Sequence, residues 1–72
     1  MSNKTTAIMP VRLETAIIEE ERSRLHRAVL ALEARPLTAR RLQQVSRALA
    51  IAANELQAVL TSRRQRNAAR RR

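Results

Sequence analysis

The sequence has no cysteine, no glycine and no aromatic residue, and only two of its 72 residues are proline. Each absence removes a class of protein. Without cysteine there is no disulfide framework and no thiolate zinc cluster, although a reducing compartment is thereby permitted and not demanded. Without glycine no phosphate-cradling loop can form, because such loops need bare backbone where the chain approaches phosphate. Without Phe, Tyr or Trp there is no platform on which unpaired bases could stack. The core has to be assembled from Leu, Ile, Val and Ala alone, and a chain this short buries only a modest one. No stretch approaches the ~20 apolar residues of a membrane span. Behind Pro10, Arg12 and Glu14 interrupt what would otherwise resemble a leader. The expectation is a single small soluble domain without membrane contact, residing in the cytoplasm.

What the chain does have is positive charge. Fifteen Lys+Arg stand against six Asp+Glu, a formal charge of +9. The placement is uneven: Glu14, Glu19, Glu20, Glu21 and Glu33 lie in the first half, and only Glu55 lies beyond Pro36. The C-terminal end carries Arg63, Arg64, Arg66, Arg70, Arg71 and Arg72. A field of one sign at one end points to a polyanionic partner, nucleic acid above all; the plainer alternative is a solvated tail that aids solubility. With no aromatic residue between them, these arginines can hold phosphate but cannot read bases, so contact with nucleic acid is expected to be salt-sensitive and nonspecific.

The hydrophobic pattern predicts an all-α protein, a two-helix antiparallel hairpin with a disordered N-terminal arm and a basic C-terminal tail. Residues 1–9 form the arm, helices run over about 10–34 and 39–62, and 63–72 is an arginine-rich tail that is a frayed helical end or coil. Pro10 suits a helix start, where its missing N–H goes unused. Val11, Ile18, Leu25 and Leu32 recur every seven residues and make one line along the first helix. The companion line, Glu14, Glu21 and Ala28, is apolar only at its last member, so the first half of this helix is expected to pack loosely. Pro36 stops the helix, and Thr38 is a candidate N-cap with Leu37 stapled against Leu42. In the second helix Leu42, Val45, Leu49, Ala52, Leu56 and Val59 alternate steps of three and four, a heptad seam that Arg63 would continue. The short connection makes the helices antiparallel, with Leu25, Ala28, Val29 and Leu32 against Leu42, Val45 and Leu49.

No residue pattern calls for catalysis, a metal or a cofactor. His26 has no ligand partner at a metal spacing, and the Glu19–Glu21 run lies on a solvated helix without a pocket to shift its pKa values. The stretch from Leu42 to Leu56 is similar to the last two helices of lambda-repressor-like helix-turn-helix domains. The glycine turn of those domains is replaced by Ala50, and the match reduces to a shared amphipathic pattern. Specificity is therefore sought in the arm. Ile8, Met9, Pro10, Val11 and Leu13 present more apolar surface than a disordered segment needs, so they either fold onto a protein partner or close the hairpin's open end against Leu56 and Leu60.

In length, apolar arm, two-helix body and arginine tail the chain resembles the small RNA-polymerase-binding transcription regulators of lytic Xanthomonas bacteriophages. The resemblance spans the whole chain in layout and rests on no single motif. It implies a non-enzymatic protein of the bacterial host cytoplasm that binds bacterial RNA polymerase near the RNA exit channel, through the N-terminal region of the β′ subunit. It further implies inhibition of initiation at host promoters and antitermination at intrinsic terminators. Ile8 to Leu13 would then be the partner-binding segment and Arg63 to Arg72 would lie against nascent RNA, with the protein a monomer, not a dimer, when bound. A second expectation stays open, a homodimeric helical hairpin that binds DNA or RNA nonspecifically through its basic tail. The seam on the second helix favours the dimer, whereas Glu14 and Glu21 oppose it.

Overall fold

A computed structural model describes residues 8–70. Two helices make up the fold, α1 (Val11–Glu33) and α2 (Ala39–Arg70), packed antiparallel as a hairpin in a rod of 53 × 23 × 16 Å. Among the described residues there is no strand. The segment Met1–Ala7 of the expected arm, and Arg71 and Arg72 of the expected tail, lie outside the described residues.

Both helix boundaries follow from local chemistry. Pro10 stands just before α1 in extended geometry, and its carbonyl accepts the Leu13 and Glu14 N–H groups at 3.0 and 3.1 Å. Glu14 lies in the first turn, where a carboxylate meets the positive end of the helix dipole. At the other end the Ala34 N–H closes the last bond, onto Leu30, before Pro36 forbids another turn. Arg35 then donates to the otherwise unsatisfied Leu32 carbonyl at 3.0 Å, and Arg41 reaches back to the Pro36 carbonyl at 2.9 Å. Thr38 caps α2 as its side chain suggested, with Oγ1 accepting the Arg41 N–H at 3.1 Å.

Two features differ from the sequence reading. First, α2 does not end near residue 62 but remains helical to Arg70. The extension is made of good helix formers, Arg, Gln and Ala, and two of its arginines are held by a carboxylate of α1. Second, the midline between the helices is shifted by one column. The buried residues are Glu14, Glu21 and Ala28 on α1 and Val45, Ala52, Val59 and Ser62 on α2. The large aliphatics expected at the firm end stay open, Leu42 at 46 % and Leu49 at 44 % exposure, with Val29 and Leu32 also exposed. The expected staple leaves both Leu37 and Leu42 exposed.

Size explains the shift. Ala28 and Ala52 on the midline let the helix axes approach closely, and close approach pushes the leucines of the neighbouring heptad positions to one side. This arrangement makes an unusual ranking of mutations. Ala52→Leu, the replacement of a small seam residue by a larger one, is expected to destabilise the hairpin by about 1–3 kcal/mol through overpacking. Leu49→Ala should change stability by no more than about 0.5 kcal/mol. Urea titrations of the two variants check this, and a larger loss for Leu49→Ala would show that the leucine column is the true core.

Candidate functional site

The open end of the hairpin, expected to be loose, is fastened by an ionic clamp. Glu14 has 0 % exposure, yet all of its acceptor capacity is used. Arg66 grips it with two parallel bonds, Nη1 to Oε2 and Nη2 to Oε1, each 2.9 Å. Arg63 Nε donates to Oε1 at 3.1 Å, and the buried Ser62 hydroxyl donates to Oε2 at 2.6 Å. A fork of two donors on one carboxylate is the strongest geometry available to arginine, and burial makes it stronger than it would be in water.

The same cluster holds the end of the arm. The Met9 N–H donates to Ser62 Oγ at 2.8 Å, so the hydroxyl accepts from the arm while donating to Glu14. Arg66 Nη1 also reaches the Met9 carbonyl at 3.5 Å. Met9 is consequently half-buried and fixed to α2, not part of a free arm. Ile8, Val11 and Leu13 remain exposed around it, Val11 at 58 %. A shallow apolar depression opens beside them, lined by Pro10, Arg12, Leu13 and Ala16.

The clamp sets the acidity of its own members. Hydrogen bonds from Arg66, then Ser62 and Arg63, draw the Glu14 pKa from its ordinary 4.5 down to about 2, against the opposing effect of desolvation. Glu14 in turn raises the Arg66 pKa above its usual value. Because the folded-state pKa of Glu14 lies below its unfolded one, its stabilisation is complete above about pH 4.5 and is lost as the pH falls towards 2. The melting temperature of the wild-type chain should therefore fall more steeply across this window than that of Glu14→Gln. Parallel curves would contradict the clamp.

Halfway along the rod a second carboxylate is treated the same way within one helix. Glu21, 2 % exposed, accepts Arg24 Nε at 2.6 Å and Nη2 at 3.3 Å, and Glu20 accepts Nη2 at 3.5 Å. Glu55 of α2 adds its charge on that side, so the carboxylates together raise the Arg24 pKa, Glu21 contributing most. No buried side-chain nitrogen or oxygen among the described residues lacks a partner. The two glutamates in the seam are thus internal structure and not obstacles on an outer surface.

The expected site residues separate into two groups. Of the arginines, Arg63 and Arg66 are engaged with Glu14, whereas Arg64 and Arg70 are exposed. Of the aliphatic segment, Met9 anchors while Ile8, Pro10, Val11 and Leu13 face outward. The clamp brings both groups to the same end of the rod, a juxtaposition not foreseen from the sequence. Along the outer side of α2, Arg40, Gln43, Gln44 and Arg47 line a second, polar depression. His26 is exposed, and no group of three or more potential metal ligands occurs among the described residues. No helix among these residues is long and apolar enough to cross a membrane. No protein-family model, curated protein or solved structure matches the chain.

Proposed function

We propose that the protein is a non-enzymatic transcription regulator of the bacterial cytoplasm, which binds RNA polymerase near the RNA exit channel through the N-terminal region of β′. In this reading it inhibits initiation at host promoters and promotes read-through of intrinsic terminators. The observation that supports it is the fastening of the apolar start of α1 to the arginine end of α2 by Glu14, Ser62, Arg63 and Arg66. One end of the rod thereby offers two chemistries side by side. Ile8, Val11 and Leu13 supply exposed aliphatic surface of the kind that selects a protein partner. Arg64 and Arg70 supply cations that strengthen hold on phosphate without sequence preference.

Such a composite end suits a place where a protein surface and emerging RNA lie together. Guanidinium groups that hold single-stranded RNA oppose its folding into a terminator hairpin, and no covalent chemistry is required. The test is reconstitution with purified bacterial RNA polymerase. The chain should co-elute with nuclease-treated polymerase, lower run-off from a host promoter and raise read-through at an intrinsic terminator. Co-elution that disappears after nuclease treatment would instead identify a nonspecific nucleic-acid binder.

A further inference from the structure

The shifted seam leaves a second surface unexplained. In an antiparallel pair, the heptad positions that flank the midline in the same rotational sense fall on the same side of the hairpin. Val11, Ile18, Leu25 and Leu32 flank the α1 midline in this way. Leu42, Leu49, Leu56 and, one step further round, Leu60 do so on α2. The opposite side holds Arg24 and Glu55, close enough for their charges to interact, which fixes the assignment of the two faces. One face is therefore a two-ridged aliphatic groove, and most of its large residues are exposed. Its floor is Ala28, Val45 and Ala52, small enough for a third helix to settle between the ridges.

Charge decides what that helix is. The leucine column of α2 continues at the same seven-residue spacing into Arg63 and Arg70, and Arg22 flanks the α1 ridge. The carboxylates that could balance them are elsewhere: Glu14 and Glu21 are buried, and Glu55 is on the other face. A second copy of this chain would bring the same face, with arginine and no free flanking carboxylate, against itself. We infer that the groove is a docking site for an amphipathic helix of a partner protein, apolar along one stripe and flanked by Asp or Glu. The α2 ridge from Leu42 to Leu60 is about 27 Å long, which corresponds to about five helical turns. This surface is distinct from the Ile8–Leu13 end, and the inference holds whether or not polymerase is the partner.

The experiment uses the full chain and three labelled 21-residue peptides, followed by fluorescence anisotropy. The first is a helix with Leu and Ile at the a and d positions and Glu at e and g. The second carries Lys at e and g, and the third is a scrambled form of the first, with equal charge and no apolar stripe. The Glu peptide should bind at least about tenfold more tightly than either control, and its affinity should fall as salt rises from 0.05 to 0.5 M, because the contact is charge-assisted. Leu49→Gln and Leu56→Gln should each weaken it about tenfold or more. Ile51→Gln, on the other face, should change it less than twofold. Helicity by circular dichroism accompanies each variant, and Leu42→Gln replaces any that loses its helices. Equal binding of the scrambled peptide would reduce the effect to charge alone and overturn the inference. Sedimentation as a dimer that strengthens with salt and is abolished by Leu49→Gln would overturn it too, by making a second copy the occupant.

Discussion

Replacing Glu14 by glutamine is expected to unfasten the open end of the hairpin, with a larger loss of stability than any single aliphatic truncation in the seam. Four hydrogen bonds converge on this carboxylate, from Arg66 twice, Arg63 and Ser62. The amide is neutral and presents a donor where the native group only accepts. It leaves Arg63 and Arg66 facing one another without a counter-charge, and a partner lost from a buried ion cluster costs more than the cluster contributes over apolar packing. The last turns of α2 should fray, since three arginines within four residues repel one another once Glu14 no longer holds two of them. Far-UV circular dichroism at pH 7 should report a loss of helicity and an earlier thermal transition. A variant as helical and as stable as the wild type would mean that the clamp contributes nothing to the fold.

The second large effect concerns the arginines outside the clamp. Arg64→Glu combined with Arg70→Glu should leave the hairpin folded, because neither side chain bonds to another element in the fold. If the proposed function holds, terminator read-through should drop by an order of magnitude or more, while capture of polymerase changes little. Each lost phosphate contact also lowers the salt sensitivity of RNA binding, so the slope of log affinity against log salt should become shallower by about 0.7 per contact for single strands. Ile8→Asp with Leu13→Asp should do the reverse, with capture lost before RNA contact. Equal losses of both activities in both double variants would contradict a division of labour between aliphatic and cationic groups.

Much of the fold was legible in the residues. Pro10, Pro36 and Thr38 mark where the helices start and stop, and the heptad spacing on both sides of Pro36 leads directly to an antiparallel hairpin. The clamp was not found, although its signal is present. Counting outward along both helices from the turn at Pro36 brings Glu14 level with the start of the arginine stretch, and Arg63 continues the heptad seam. Taken one helix at a time, the glutamates look like defects in a core and the arginines like a tail. Only the register between the helices turns them into partners. The choice of midline was illegible for a different reason. A heptad stripe has two columns, and composition favours burying the leucines. Ala28 and Ala52 instead permit a closer approach that buries the other column, at no loss if the leucines have a use elsewhere. That preference is a property of the helix pair and of whatever covers it, not of either helix's own pattern.

The most direct test of whether the two ends act as one surface is polymerase capture by Glu14→Gln at neutral pH. This variant retains every exposed aliphatic and every arginine, and only their fastening is removed. Capture and read-through should both fall together, and lengthened separation between spin labels on Thr15 and Gln65 should accompany the loss, since the chain has no native cysteine to compete for labelling. Full capture and full read-through by a variant whose labels have moved apart would contradict it, because the two groups would then work without being held side by side.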